Sequence, residues 1–272
     1  MKPLRKQGII LFTILALIMV ACGGDTAEET VEEAAPEVVE TLDSPAVTTA
    51  STVKTGVGVT SDPCPEVIGG IPTGADPSKG CIYLGLLNDY TGPFGPYGIP
   101  LETGQRGFWL WANQSGGIGD YSVAIVEGYD TQYNPQKHLE GYKAQRGEVA
   151  ALAMSLGTPQ TQFILDDMDA DNMVAAPMSW YSGWSYKESD RGLVVEFGAA
   201  YCADGMNAVD WALANLPVDI KTIGNMGFAG DYGGDYAAGV KAAAAANGLT
   251  VAWEYVVPSP EFDVSQAVGL MV

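Results

Sequence analysis

Positively charged residues are scarce in this sequence of 272 residues. It has 13 lysines and arginines against 33 aspartates and glutamates, which gives a formal net charge of −20 at pH 7. Because nucleic-acid binding depends on lysine and arginine contacts to phosphate, this balance argues against a nucleic-acid partner. An acidic surface instead fits an exported protein that must stay soluble.

The residue types that most catalytic and metal sites use are also few. The single histidine, His138, falls mid-helix between Lys137 and Glu140, where we expect a solvated face. No G-x-S-x-G nucleophile motif occurs, and the four cysteines lack the spacing of a zinc site. The acidic run at 166–171 is typical of solvated surface, and the glycine-rich stretch at 227–234 lacks the G-x-G-x-x-G spacing. The sequence therefore predicts no enzyme, no metal and no other cofactor.

Long apolar runs are absent after Val20, so we expect no later membrane span. The N-terminus has a short basic head, then an uncharged run from Gly8 to Val20, then Met19-Val20-Ala21-Cys22. This order predicts a lipoprotein signal peptide at 1–21 and a lipid anchor on Cys22 at the outer face of a bacterial membrane. A buried N-terminal helix or ordinary secretion is the alternative.

Residues 22–63 are predicted to form an acidic, disordered tether. The stretch after Cys22 has no aromatic residue and a single basic one, Lys54, so it cannot bury enough apolar surface to offset its ordering entropy. The folded part is predicted to begin at Cys64. Cys64 and Cys81 flank a glycine- and proline-rich loop, and an oxidising compartment favours a disulfide between them. We expect Cys202 to be buried as a small apolar side chain.

Apolar runs alternate with amphipathic segments from Cys81 onward. The predicted strands are Ile82–Leu87, Tyr121–Glu127, Val149–Met154, Met173–Ala176, Leu193–Phe197, Lys221–Met226 and Leu249–Val256. The predicted helices are Pro100–Trp111, Pro135–Arg146, Gln160–Asp169, Met206–Asn215 and Tyr236–Asn247. This alternation predicts right-handed crossovers, a mostly parallel sheet and an α/β fold. The aromatic-rich break at 179–191 is predicted to be a lobe crossover or a site loop.

Four short motifs occur in a fixed order along this α/β pattern. They are Thr91-Gly92-Pro93 with Tyr97-Gly98, Asn113 with Gly116-Gly117, Asp130 ahead of Pro135, and Gly230-Asp231-Tyr232-Gly233 before an alanine-rich helix. Together they resemble the type I periplasmic binding proteins, specifically the branched-chain amino-acid (Leu/Ile/Val) receptors of ABC importers. The resemblance implies two Rossmann-like lobes, at 64–198 and 199–272. Because the apolar segment at 265–272 ends without a cap, we expect the sequence to be C-terminally truncated and both lobes to be partial.

The resemblance also implies a ligand site in the cleft between the lobes. Family members grip a carboxylate with a hydroxyl and backbone amides, and Thr158 occupies the hydroxyl position, with Ser179 on a second loop. Tyr97 and Tyr232 match aromatic positions of the first and second lobes. Thr158 also fits a helix cap, Ser179 also fits a residue without direct ligand contact, and the two tyrosines also fit loop or turn packing.

The sequence departs from the branched-chain receptors at 178–184. Those receptors have small residues there, whereas this chain has Trp180 and Trp184. The two rings either stack against a larger, flatter or cationic solute or fill a hinge or lobe interface.

The resemblance predicts an extracytoplasmic solute-binding subunit of an ABC importer. It implies an amino acid or a related small amide as ligand, and ABC permease and ATPase subunits as partners. In the family, the acidic residue that pairs with the ligand's amino group lies beyond Val272. A surface sensory module is the alternative function, and an anchored hydrolase is a further one.

Overall fold

The computed structural model describes residues 54–257 and 264–270. The predicted signal peptide, Cys22 and most of the predicted tether lie outside the described residues. Within the last part of that tether, strand β1 (Val59–Thr60) pairs antiparallel with strand β4 (Gly80–Asn88). The Tyr83 amide also donates to the Gly58 carbonyl at 2.7 Å. The folded part therefore begins before the predicted boundary at Cys64, because β1 satisfies its backbone groups on β4.

The other elements follow the alternation that the sequence predicts. The strands are β2 (Val67–Ile68), β3 (Ile71–Pro72), β5 (Tyr121–Ile125), β6 (Tyr129–Asp130), β7 (Ala151–Leu156), β8 (Ala175–Met178), β9 (Thr222–Phe228) and β10 (Thr250–Val257). The helices are α1 (Gly95–Gln114), α2 (Pro135–Gln145), α3 (Thr158–Phe163), α4 (Leu165–Asp171), α5 (Lys187–Asp190), α6 (Tyr201–Asn215), α7 (Asp231–Ala246) and α8 (Ser265–Leu270), with a 3₁₀ turn at Ser182–Ser185.

The larger sheet is centred on β4. Strands β5 and β7 pair with β4 in parallel, and β8 pairs in parallel with β7. The short β6 pairs in parallel with the end of β4, and β1 pairs antiparallel with the beginning of β4. The parallel strands therefore lie in the order β5, β4, β7, β8. The chain adds β5 on one side of β4 and then β7 and β8 on the other side, so the direction of strand addition reverses at β4. The predicted α/β class with a mostly parallel sheet is confirmed.

A smaller unit follows, in which β9 and β10 pair in parallel beside helices α6 and α7. The two helices approach closely through glycines: a Cβ on Gly239 would meet the Cys202 carbonyl, and one on Gly205 would meet the Tyr236 carbonyl. Val209 and Val240 form the apolar contact between the helices. Cys202 is buried in this close contact.

Five predicted elements differ markedly in the structure. Helices α6 and α7 begin at Tyr201 and Asp231, each five residues before the predicted start. Helix α1 begins at Gly95 rather than at Pro100, because Pro96 occupies the first turn, where a missing N–H costs nothing, and Pro100 lies inside the helix. The predicted helix at 160–169 is two short helices that meet at Ile164. The predicted strand at 193–197 makes only one bridge, from Val194 to Ala175, and is not a strand.

The predicted disulfide is present and joins Cys64 to Cys81, the second residue of β4. Both half-cystines are buried beside Ala124. The bond closes the glycine- and proline-rich loop onto the central strand. A closed loop of this length is expected to stabilise the fold by about 3 kcal/mol, since it restricts the unfolded chain.

His138 is fully buried, and the prediction that it lies on a solvated face is wrong. Its Nε2 lies 2.8 Å from Ser155 Oγ, which in turn lies 2.7 Å from Thr161 Oγ1. Helix α2 turns His138 towards the end of β7, where the Ser155 hydroxyl satisfies one ring nitrogen and is itself bonded to Thr161. Burial lowers the pKa of His138 to about 3, so the ring is neutral at physiological pH.

A pH-dependent loss of stability is expected from this buried ring. The unfolded chain takes up a proton near pH 6.5, whereas the folded chain does so only near pH 3. The unfolded state therefore binds more protons in this range, and the free energy of unfolding should fall as pH drops below 6.5, by up to about 1.4 kcal/mol per unit. Urea denaturation between pH 7 and 5 should give a shallower slope for His138→Gln than for the wild type. Equal slopes would contradict this assignment.

No helix in the described ranges is long and apolar enough to span a bilayer.

Candidate functional site

A crevice opens where the winding of the sheet reverses. Strands β5 and β7 flank β4 on opposite sides, so the loops after β4 and β7 diverge at their carboxyl ends. Ligands of open α/β sheets bind outside the strands at this kind of switch point. The loop after β4 leads to Phe94 and the start of α1, and the loop after β7 is the single residue Gly157 before α3.

A cavity of about 750 Å³ lies at this crevice, between the larger sheet and helices α6 and α7. Its wall is mainly aromatic and is made of Phe94, Tyr97, Tyr133, Trp180, Tyr201, Phe228, Tyr232 and Tyr236. Aliphatic and small residues complete it, namely Pro93, Pro100, Leu101, Leu156, Gly157 and Met178. The remaining lining residues are Thr158 and Asp204. Such a cavity suits a solute with an apolar body and few polar groups.

The aromatic rings of the cavity form two groups of packed side chains. Phe94 and Tyr133 have ring centroids 4.1 Å apart on the side of the larger sheet. Tyr201 packs edge-on against both Trp180 and Tyr232, with centroids 6.1 and 4.9 Å away. Trp180 therefore connects the larger sheet to the aromatic residues of the smaller unit.

A chain of hydrogen bonds leads to the cavity through Thr158. Thr158 Oγ1 lies 2.6 Å from Ser179 Oγ, and Trp184 Nε1 donates to Ser179 Oγ at 3.0 Å. The three side chains are buried, with 2%, 1% and 4% of their residue surfaces exposed. Gly157 makes this position accessible, because its φ of 103° turns the chain sharply from β7 into α3.

Two tyrosines of the cavity, Tyr133 and Tyr201, are neutral at physiological pH. Burial, with smaller contributions from Tyr201, Tyr232 and Asp89, raises the pKa of Tyr133 to about 12. Burial also raises the pKa of Tyr201, although hydrogen bonds from the Ser179 and Thr158 hydroxyls act in the opposite direction. These phenols therefore keep their protons and can donate hydrogen bonds.

Asp204 is the one charged side chain that lines the cavity within the described ranges. It lies in the first turn of α6, three residues after Tyr201, and it is exposed. A carboxylate at this position gives the cavity a negative end on the side of the smaller unit.

Two contacts hold the smaller unit against the loop that follows β8. The Tyr201 amide donates to the Trp180 carbonyl at 2.7 Å. Asp235 Oδ2 on α7 accepts from both the amide and the hydroxyl of Ser182, each at 2.9 Å. The aromatic-rich break at 179–191 thus connects the larger sheet to α6 and α7.

The structure brings four of the predicted ligand-binding residues together. Tyr97, Thr158, Trp180 and Tyr232 all line the cavity, although Tyr97 and Tyr232 are 61% and 40% exposed. Ser179 lies behind Thr158 and does not line the cavity. Trp184 is buried behind Ser179, where its ring packs edge-on against Tyr181.

Several lining residues were not predicted from the sequence. Phe94 directly follows the Thr91-Gly92-Pro93 motif, and this position next to the motif could have indicated a place in the site. Tyr133, Tyr201 and Asp204 have no such signal, because their approach to the cavity depends on how α2 and α6 pack.

A second cavity, of about 890 Å³, lies on one face of the larger sheet. Its lining is apolar and includes Leu84, Leu152, Phe108 and Val195. Its polar side-chain groups are the Trp109 indole N–H and the Gln105 amide, and Gln105 already donates to the Ala153 carbonyl. This cavity therefore lacks the converging polar groups of a solute site.

In the part of the chain that the structure describes, no group of three or more His, Cys, Asp or Glu side chains is arranged to hold a metal ion.

Comparison with known proteins gives one family match and several solved structures. The sequence profile of a family described as "Periplasmic binding protein" matches residues 81–271. A fatty acid ABC transporter substrate-binding protein from Thermomonospora curvata is similar in structure, with a TM-score of 0.62 and 27% identity over 73% of this chain and 49% of that chain. No curated protein sequence matches the chain.

Two further solved structures share the fold. A branched chain amino acid ABC transporter from Thermus thermophilus with bound valine has a TM-score of 0.61 and 14% identity, over 71% of this chain and 50% of that one. A solute binding protein of an ABC transporter from Rhodopseudomonas palustris HaA2, in complex with p-hydroxybenzoic acid, has a TM-score of 0.60 and 15% identity, over 70% and 50%. The chain thus spans about half the length of the structures it matches.

Proposed function

The chain belongs to the periplasmic binding protein family, and from this premise we propose that it is the solute-binding component of an ABC importer. It would act outside the cytoplasm and deliver its solute to permease and ATPase subunits without covalent chemistry. The observation that carries the proposal is the aromatic cavity at the switch point, with the Thr158 hydroxyl at its wall. The proposal includes a lipid anchor on Cys22, supported by the pattern of residues 2–22.

The proposed solute is an amino acid or a related small amide. Thr158 would donate to its carboxylate or carbonyl oxygen, and Asp204 would face its ammonium group. The aromatic wall would surround the side chain, and a cavity of about 750 Å³ leaves room for a side chain larger than those of Leu, Ile or Val. The Thermus thermophilus relative holds valine, which supports amino-acid binding on this fold.

A carboxylate without an ammonium group is the second candidate. The cavity wall has many aromatic side chains and one carboxylate, so most of its surface suits an apolar body. The Thermomonospora curvata relative is described as a fatty acid transporter component and the Rhodopseudomonas palustris relative holds p-hydroxybenzoate, which supports this alternative.

Thermal-shift screening of the purified chain tests the proposal. The panel contains the standard amino acids, their amides, benzoates, medium-chain fatty acids, polyamines and neutral sugars. A solute at about 100 times its Kd should stabilise the fold by about 2.7 kcal/mol, because it binds only the folded state. We expect stabilisation by a bulky apolar amino acid or carboxylate. A panel in which no solute raises the melting temperature, or in which only sugars do, would contradict the proposal.

A further inference from the structure

Trp184 and Ser179 form a directed path of hydrogen bonds that ends at the cavity wall. An indole N–H is a donor only, so the Trp184 Nε1–Ser179 Oγ bond has one direction. Ser179 Oγ accepts this bond, and its own hydroxyl proton needs a separate acceptor. The nearest acceptor for that proton is Thr158 Oγ1, at 2.6 Å.

Polarisation favours the same direction for the second bond. A hydroxyl that accepts a hydrogen bond becomes a better donor, and this effect is stronger away from water. Because Ser179 and Thr158 are both buried, the bond from Trp184 favours donation from Ser179 to Thr158. Thr158 Oγ1 then accepts one bond, and its own proton can turn from the nearby Tyr201 phenol to a partner in the cavity.

The reverse direction has a different consequence. If Thr158 donated to Ser179, the Ser179 proton would go to the Tyr201 phenol, which both hydroxyls also approach. The cavity would then meet an acceptor at Thr158. The indole N–H of Trp184 thus affects whether Thr158 presents a hydrogen-bond donor or an acceptor to the solute.

We propose that Trp184 is a specificity-determining residue that acts through Ser179, so that Thr158 donates a hydrogen bond to the solute and the cavity selects a carboxylate over an uncharged carboxamide. This inference rests on the proposed function. Trp184 is a positioning residue, because it does not line the cavity and contacts the solute only through two hydroxyls. Its ring is one of the two that distinguish this chain from the small residues of the branched-chain receptors.

The test compares two probes that differ at one group, L-phenylalanine and L-phenylalaninamide. Isothermal titration calorimetry gives the ratio of their affinities. A charge-assisted hydrogen bond is expected to favour the carboxylate by roughly tenfold in the wild type. Trp184→Phe removes the donor and keeps a ring, so the ratio should fall at least fivefold.

Two further variants separate this role from simple packing. Tyr181→Phe alters the ring that packs edge-on against Trp184 but keeps the indole N–H, so its ratio should equal that of the wild type. Ser179→Ala breaks the path, so adding Trp184→Phe to it should change the ratio no further. A purely structural Trp184 would lower the affinities for both probes together, in either background.

Each result has one meaning. A smaller ratio in Trp184→Phe, with no additional effect in the Ser179→Ala background, supports the proposal. An unchanged ratio in Trp184→Phe, or a wild type that binds both probes equally, overturns the role of Trp184 and leaves the solute-binding function intact. A wild type that binds neither probe overturns the selection of an amino-acid carboxylate, and only the failure of the whole solute panel overturns the proposed function as well.

Discussion

Replacement of Thr158 by valine is expected to raise the Kd for the solute by about 10- to 100-fold. Valine has nearly the same shape, so the cavity keeps its volume and loses one hydroxyl. A hydrogen bond to a charged group contributes about 1.5–3 kcal/mol, which corresponds to this range of affinity. Calorimetric titration with the best solute from the screen measures the change.

A matched substitution separates the loss of the Thr158 hydroxyl from the general effect of replacing a threonine by valine. Thr103 lies on α1, away from the cavity, and its hydroxyl donates to the Ile99 carbonyl at 3.0 Å. Thr103→Val should leave the Kd within twofold of the wild-type value. If Thr158→Val binds as tightly as Thr103→Val, the solute does not use the Thr158 hydroxyl.

Substitution of alanine for Gly239 is expected to lower the free energy of unfolding by about 2–3 kcal/mol. The new Cβ would meet the backbone carbonyl of Cys202, and neither helix can relieve that contact by a rotamer change. Overpacking of this kind costs about 1–3 kcal/mol and forces the backbones apart. Urea denaturation followed by circular dichroism measures the loss.

Gly234 provides the control in the same helix. A Cβ there would have nothing within 4 Å, so alanine meets no obstacle. Because alanine favours a helix over glycine, Gly234→Ala should raise the free energy of unfolding by about 0.5–1 kcal/mol. The two substitutions in α7 therefore have opposite signs, and a shared sign would contradict the close contact of α6 with α7.

The fold was largely predictable from the sequence because its signals are local. Runs such as the one around Leu86 alternate with amphipathic segments, and this spacing allows few arrangements other than a parallel sheet. The predicted type I periplasmic-binding-protein fold is confirmed by the matched profile and by the solved structures of that fold. Element ends were less predictable, since Pro96 and Pro100 both fit a helix start and only packing decides between them.

The site was predictable only where the resemblance to the family marks it. Tyr232 was placed by its motif and Thr158 by the hydroxyl position of the family, and both line the cavity. Asp204 was not predicted, because an acidic residue in a first helical turn has no local pattern that separates surface from site. The burial of His138 was missed for a related reason: its neighbours in sequence are polar, but α2 turns this one face towards Ser155.

The aromatic break at 179–191 contacts two parts of the molecule. The break was expected to be a lobe crossover or a site loop. Trp180 lines the cavity, while Ser182 bonds to Asp235 on α7. The loop therefore contacts both the cavity and the smaller unit.

The central claim is that a solute binds in the aromatic cavity with its acceptor group on Thr158. A crystal structure of the protein grown with the best solute from the screen tests this most directly. The account predicts density in the cavity, with a carboxylate oxygen about 2.6–2.9 Å from Thr158 Oγ1 and the body of the solute between Tyr97 and Tyr232. A solute bound in the apolar cavity on the sheet face, or bound in the aromatic cavity with Thr158 uncontacted, would contradict it.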